Sequence, residues 1–243
     1  MKALILAAGV SRRLYPLTKT TPKCLLDVGG KSIISYQLDA LREQNITNVI
    51  IVIGYFREKI IQFLNKNYSD FNFEFVINHH FFETNTAYSL YLCKKHLNSN
   101  VPLILMNGDV VYSKPLLEQI INSSHNNVLA VERKSCGREE VKVIEGKFKQ
   151  IIAIGKELIQ ENALGEFIGV AKFSSEFSHV FSDSLDKLII AGGKSDYFEA
   201  AIQPLLSNYK IYYTDVSDLP CIEIDFIEDL EEAQELVTSE CFL

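Results

Sequence analysis

Apolar residues in this chain gather into short blocks of two kinds. Ala3–Leu6, Asn48–Ile53, Val101–Met106 and Val128–Val131 are continuous or nearly continuous apolar runs, rich in β-branched residues. Such runs suit strands buried on both faces of a parallel sheet. Between the first two lies Lys31–Asn45, where Ile33, Ile34, Gln37, Leu38 and Leu41 place one stripe along a helix. Ile60–Leu64 predicts the next helix and Phe73–Ile77 the next strand. The first part therefore alternates strand, helix, strand, helix, strand, the pattern of a doubly wound α/β sheet. Ligands of such sheets sit beyond the carboxyl ends of the strands. The loop after Leu6, Gly54-Tyr55 and Asn78 all fall there.

The pattern continues to the end of the chain. Asn85-Thr86-Ala87-Tyr88-Ser89-Leu90 starts a helix, with Asn85 or Thr86 as its cap. Pro115–Ser123 predicts a helix, and Arg133–Arg138 a charged loop. Val141–Ile144 and Phe148–Ile154 predict a hairpin turning at Glu145-Gly146-Lys147. Gly165–Ala171 follows as a strand, Phe177–Ile190 as a helix, Ser195–Glu199 as the start of another, and Ile211–Val216 as a strand. In Cys221-Ile222-Glu223-Ile224-Asp225 the acids alternate with isoleucines, which puts Glu223 and Asp225 on one side of a strand. A solvated edge would give the same pattern.

Composition narrows the function classes. The 243 residues, 47% of them hydrophobic, suffice for one sizeable α/β domain over residues 1–243. A net charge of -7 argues against a general nucleic-acid surface, so any phosphate site should be a local basic pocket. No apolar run reaches transmembrane length and no signal-peptide layout opens the chain, so neither membrane insertion nor secretion is expected. Cys24, Cys93, Cys136, Cys221 and Cys241 are odd in number and lack a CxxC pair. They read as reduced thiols of a cytoplasmic protein rather than a zinc site or disulfide framework.

The chemistry-bearing stretch is Leu6-Ala7-Ala8-Gly9-Val10-Ser11-Arg12-Arg13-Leu14, running on to Pro22-Lys23. Small residues after a buried strand let a ligand approach backbone N–H groups, and Arg12 or Arg13 and Lys23 supply charge for phosphate oxygens. The dinucleotide fingerprint is absent, since only Gly9 is present where three glycines are needed. Gly30-Lys31-Ser32 and Gly193-Lys194-Ser195 imitate the end of a P-loop, but Leu25 and Leu188 stand where its first glycine belongs. Further on, Asn107-Gly108-Asp109 ends a strand with a carboxylate suited to magnesium, although an Asx turn would look the same. His79-His80 lacks companion ligands and reads as loop.

The opening motif, with Pro16-Leu17-Thr18 and Pro22-Lys23-Cys24-Leu25-Leu26, resembles the signature of the nucleotidyltransferase superfamily, including sugar-1-phosphate nucleotidyltransferases and cytidylyltransferases of small phosphorylated alcohols. Many members carry a second glycine where this chain has Ser11. Asn85–Ser89 resembles the Asn-x-x-Tyr-Ser motif of phosphocholine-type cytidylyltransferases, which favours CTP. Cys221–Ala233 is similar to the family's Glu-Ile-Asp-x-x-x-Asp-Leu-x-x-Ala ending, although the tryptophan that often precedes it is missing, as the chain has none.

The resemblance implies a three-layer, Rossmann-like (GT-A type) mixed, mostly parallel sheet, with residues 1–110 as the nucleotide-binding half and 111–243 as the acceptor-binding half. It assigns Lys23 and Arg13 to catalysis and Leu6, Ala7, Ala8, Gly9, Asn78, Asn85, Ser89 and Gly108 to the nucleotide. Asp109 and Asp225 would hold Mg2+, with Asp229 at a helix start. Lys156 would hold the acceptor phosphate, Lys142 being the weaker candidate, and Glu199 would touch the acceptor.

The expected reaction is attack of an acceptor phosphate or phosphonate oxygen on the α-phosphorus of CTP, releasing pyrophosphate. A phosphomonoester is already anionic near neutral pH, its second pKa being about 6, so no general base is needed. Positioning and charge neutralisation must supply most of the acceleration. A hexose-1-phosphate nucleotidyltransferase using UTP, dTTP or GTP and a non-catalytic nucleotide-binding domain are the alternatives. Phosphocholine, an aminoalkylphosphonate, an inositol or glycerol phosphate and a phosphorylated amino-acid amide all stay open as acceptors. Tyr55, Phe81, Phe82, Tyr88, Tyr91 and Tyr197 could line a cation–π pocket or serve as core. A homo-oligomer stays open too.

Overall fold

The computed structural model describes residues 1–239 and 242; Cys241 lies outside them. Its strands in chain order are β1 (Lys2–Ala7), β2 (Asp27–Val28), β3 (Lys31–Ser32), β4 (Asn48–Ile53), β5 (Asn72–Ile77), β6 (Leu103–Asn107) and β7 (Val110–Tyr112). There follow β8 (Val128–Glu132), β9 (Lys142–Glu145), β10 (Ile151–Gly155), β11 (Gly165–Phe173), β12 (Tyr212–Asp215) and β13 (Cys221–Glu223). The α-helices are α1 (Ile33–Glu43), α2 (Arg57–Asn67), α3 (Thr86–Tyr91), α4 (Lys94–Leu97), α5 (Lys114–Asn122), α6 (Ser175–Ile190), α7 (Glu199–Ile202) and α8 (Ile227–Leu236).

Two compact units emerge, and neither is a single run of chain. The first collects Met1–Phe82, Met106–Glu118 and Leu219–Leu243; the second collects Glu83–Leu105 and Gln119–Asp218. In the first, β1, β4 and β5 form a parallel ladder in that order, with Ile5 beside Ile51 and Ile51 beside Phe75. This is the βαβαβ alternation expected from the apolar runs. Lys31–Ser32, assigned above to the first helix, instead pairs with Asp27–Val28 as a small hairpin. Gly29 and Gly30 turn it at φ +62° and +90°, angles that cost glycine little.

One apolar cluster binds the distant segments of this unit together. Leu14 and Leu26 from the opening loop, Ile33 of α1, Val111 of β7, and Ile224 and Leu230 from the C-terminal segment are all buried in it. Each such side chain contributes roughly 2 kcal/mol on leaving water, so the loop is anchored by its own leucines.

In the second unit β8 pairs with β11 antiparallel and with β12 parallel, and β9 pairs antiparallel with both β10 and β11. The predicted hairpin is the β9–β10 pair. The helix expected from Ser195 onward is broken: a 3-10 turn spans Gly193–Ser195, and α7 runs only Glu199–Ile202 before Pro204 enters another 3-10 turn. Proline cannot continue the ladder of helical hydrogen bonds. Cys24, Cys93, Cys136 and Cys221 are thiols, the first three buried. Among the described residues no helix is long and apolar enough to cross a membrane.

Candidate active site

The opening loop leaves β1 between two close-fitting strand ends. Gly108 donates its N–H to the Leu6 carbonyl at 2.9 Å, and Tyr55 donates to the Ala8 carbonyl at 3.1 Å. A Cβ on Gly108 would stand 2.7 Å from the Leu6 oxygen, and one on Gly54 would stand 2.8 Å from the Ala8 oxygen. Both glycines are therefore required for close approach. Gly9 faces open space, with no atom within 4 Å of where its Cβ would be. Asn78 follows β5 directly, buried, with its Oδ1 accepting from the His80 N–H at 2.9 Å.

Beyond Gly9 the loop turns left-handed at Ser11, with φ 54° and ψ 55°. This is the position where many nucleotidyltransferases carry glycine, and the backbone angle explains that preference. Arg12 then lies over the Phe82 ring at 5.9 Å and Arg13 over the Phe226 ring at 5.0 Å.

Lys23 is the centre of the site. Its ammonium donates to Asp109 Oδ2 at 2.8 Å and to Asp225 Oδ1 at 2.8 Å. Its side chain is only 9% exposed, whereas Asp109 and Asp225 are 25% and 37% exposed. Burial by itself would push the lysine pKa down; the two carboxylates more than offset this, so the net direction is upward. The Arg13 guanidinium holds the other oxygen of Asp225 at 3.2 Å.

Local structure explains the convergence of acids. Asp109 sits in the turn between β6 and β7, and β13 pairs antiparallel with β7, Glu223 opposite Val110. That register puts Ile224 against Asp109, and the Ile224 N–H donates to the Asp109 carbonyl at 3.0 Å. Asp229 fixes Asp225 from behind, accepting the N–H groups of Asp225 and Phe226 at 2.7 Å each. This is a helix-start role, as expected for the residue. Gln37, buried in α1, braces the turn from the opposite side by donating to the carbonyls of Asn107 at 2.7 Å and Val110 at 2.9 Å.

Asp109, Glu223 and Asp225 each bring one oxygen into a group whose members lie within 4.8 Å of one another. Asp109 Oδ1 is buried without a hydrogen-bond partner. Three converging carboxylates, with one Asp109 oxygen left unsatisfied, fit a magnesium ion. Glu223 is not among the metal ligands that sequence reasoning nominates. Its signals are the alternation with Asp225, which a solvated edge would also produce, and its place as the glutamate of the family-like Glu-Ile-Asp ending.

The remaining candidates lie in the second unit. The Asn85 side-chain oxygen caps α3, accepting from the Thr86 N–H at 2.8 Å, and Ser89 is buried one turn on. The capping reading of Asn85 is thus realised. Lys156 follows β10 directly, its ammonium 4.2 Å from the centre of the Tyr197 ring. Glu199 is 3% exposed, and its Oε2 has no hydrogen-bond partner. Burial raises its pKa to about 7, its own backbone N–H and the nearby Lys156 charge opposing the rise. Lys142, the weaker candidate for the acceptor phosphate, is 1% exposed and spends its ammonium on the main-chain carbonyls of Arg138, Glu140 and Lys156. A buried ammonium so engaged has no donor left for a phosphate. Gly30 and Gly193, at the two P-loop look-alikes, lie in a hairpin turn and a 3-10 turn.

Comparison with known proteins places the whole chain among nucleotidyltransferases. The CTP:phosphoglutamine cytidylyltransferase of Campylobacter jejuni is 30% identical over 252 residues, covering 95% of this chain and 98% of that one. The choline-phosphate cytidylyltransferase of Streptococcus pneumoniae is 27% identical over 242 residues, covering 99% and 100%. The solved structure of CTP:phosphocholine cytidylyltransferase from Streptococcus pneumoniae superposes with a TM-score of 0.80 at 25% identity, over 97% of this chain and 98% of that chain. Residues 2–142 match the Nucleotidyl transferase family, and the chain belongs to that family.

Proposed function

We propose that the protein is a magnesium-dependent cytidylyltransferase. It joins CTP to a small phosphorylated alcohol, amide or phosphonate, forming the CMP- or CDP-activated product and pyrophosphate. The observation that carries this reading is the Lys23 ammonium held 2.8 Å from both Asp109 and Asp225. CTP is favoured over other triphosphates by the Asn85–Ser89 segment and by the two full-length relatives, whose names specify CTP:phosphoglutamine and choline-phosphate cytidylyltransferases.

Roles follow from charge. Backbone groups of Ala7, Ala8 and Gly9, with Arg13, hold the β and γ phosphates. Lys23 leaves its carboxylate partners to meet the α-phosphate, where negative charge grows in the transition state. Leu6, Asn78, Gly108, Asn85 and Ser89 shape the nucleoside site, Lys156 holds the acceptor phosphate and Glu199 touches the acceptor. Asp109 and Asp225, joined by Glu223, would hold Mg2+. Bound there, the ion would neutralise charge on phosphate oxygens. We place the reaction in a reducing, cytoplasmic setting, which the unlinked thiols support.

The test is mass spectrometry of products from CTP, UTP, dTTP and GTP, each with phosphocholine, aminoethylphosphonate, inositol 1-phosphate, phosphorylated glutamine and glucose 1-phosphate. A CMP adduct of one non-hexose acceptor is expected. Turnover confined to a hexose 1-phosphate with another triphosphate would move the assignment to the sugar enzymes, and no turnover with any pair would reject catalysis.

A further inference from the structure

Lys142 has a role that the reaction itself does not call on. It is one of the largest fully buried side chains in the protein, yet it ends in an ammonium. That ammonium donates to the Arg138 carbonyl at 3.4 Å, the Glu140 carbonyl at 3.2 Å and the Lys156 carbonyl at 2.5 Å. The first two belong to the loop entering β9; the third belongs to the residue after β10. In the β9–β10 ladder Lys142 stands opposite Gly155, so its side chain reaches just one residue beyond its register partner.

Gly155 itself has φ +155°, with no atom within 4 Å of where a Cβ would be. The strand therefore ends in a glycine conformation that side chains rarely adopt, and the next peptide is pinned by a buried cation. A charged donor shared among three carbonyls makes hydrogen bonds stronger than neutral ones, and burial protects them from competing water. Main-chain direction at Lys156 is thereby fixed before the flexible part of its side chain begins.

We propose that Lys142 is a positioning residue that aims Lys156 at the acceptor phosphate, acting on acceptor binding and not on CTP. The proposal rests on the assignment of Lys156 to that phosphate. A loosened Lys156 would still carry its charge but would spend binding energy on being ordered, which raises the acceptor KM.

The test is steady-state kinetics on Lys142→Met, Lys156→Ala and the double variant, with each substrate varied in turn. Lys142→Met is expected to raise the acceptor KM about tenfold while the CTP KM stays within about twofold. Its effect should vanish in the Lys156→Ala background, because residues acting through one another are not additive. If Lys142→Met does not fold, Lys142→Gln takes its place, since its amide offers two N–H donors for the three carbonyls and no charge. Equal effects on both substrates, or a Lys142→Met effect undiminished without Lys156, would overturn the proposal and leave the Lys156 assignment standing. An unchanged acceptor KM in Lys156→Ala would overturn that assignment and the proposal with it.

Discussion

Lys23 Nζ lies 2.8 Å from Asp109 Oδ2, although 86 residues separate the two in the chain. The same ammonium reaches Asp225 at 2.8 Å, across 202 residues. A buried lysine between two carboxylates can be a purely structural knot, or it can be a charge held ready for an incoming phosphate. Removing the lysine distinguishes the two roles. Lys23→Met should cut kcat by at least about a hundredfold, the usual loss when a donor to transition-state charge is removed. The fold should survive, because Asp109 and Asp225 are 25% and 37% exposed and can rehydrate. Circular dichroism and a pyrophosphate-release assay check both halves. A near-native rate would remove Lys23 from the mechanism.

Metal dependence is expected of the same cluster. Lys23 and Arg13 supply two positive charges against the three carboxylates of Asp109, Glu223 and Asp225. Chelation with EDTA should abolish turnover, and added Mg2+ should restore it. Glu223→Gln should weaken the apparent Mg2+ affinity by at least roughly tenfold, since even a group that only supports a ligand is worth about that. Titrating Mn2+ by electron paramagnetic resonance reads the affinity without catalysis. An unaltered affinity would leave Glu223 as a solvated edge residue.

The sequence carried the βαβαβ run and the chain positions of Lys23, Asp109 and Asp225, because each belongs to a local pattern. What it could not carry was set by pairing between distant segments. Glu223 became a candidate ligand only because β13 pairs with β7, 110 opposite 223. Gln37 reads as one more member of a helical stripe, yet its amide reaches carbonyls 70 and 73 residues away. Lys31–Ser32 joins a hairpin rather than the helix because Gly29-Gly30 turns the chain back on itself. Lys142 reads as a second candidate for a phosphate, and only its burial shows that its charge is spent inside.

Gln37 offers a prediction that separates bracing from chemistry. It touches two carbonyls that flank Asp109 and neither carboxylate. Gln37→Leu would fill similar volume and take a donor from both carbonyls, at a cost of about 1–3 kcal/mol for each that is left buried and unpaired. The expected result is a lower Tm together with a weaker apparent Mg2+ affinity, as the Asp109 turn loosens. A lower Tm with unchanged metal affinity would confine Gln37 to stability.

Glu199 should make stability depend on pH. Its carboxyl is raised from an ordinary 4.5 to about 7, chiefly by burial. Between these values the folded protein keeps a proton that the unfolded chain has lost, so stability falls as pH rises from about 4.5 to about 7 and then levels off. The full loss is roughly 3 kcal/mol. Glu199→Gln keeps the shape without the ionisation, so its Tm should change less across that window and should exceed the wild-type value at pH 8. Melting curves at closely spaced pH values decide; parallel curves for the two proteins would show that Glu199 does not titrate there.

Ser11 bears backbone strain that glycine would relieve. Its φ of 54° is left-handed, and its side chain makes no capping hydrogen bond. The nearby bond from the Thr18 hydroxyl, at 2.8 Å, goes to the Ser11 carbonyl and so survives any substitution. A non-glycine residue in this region costs roughly 1–2 kcal/mol, and glycine gives part of that back through the greater freedom of the unfolded chain. Ser11→Gly should therefore stabilise by about 1 kcal/mol, or about 2–4 °C in Tm for a chain of this size. Ser11→Ala keeps the offending Cβ and should gain nothing. Thermal melts of the pair test the strain directly: equal gains from both would trace the effect to the hydroxyl, and a loss from Ser11→Gly would mean that the loop depends on a stiff residue at this turn.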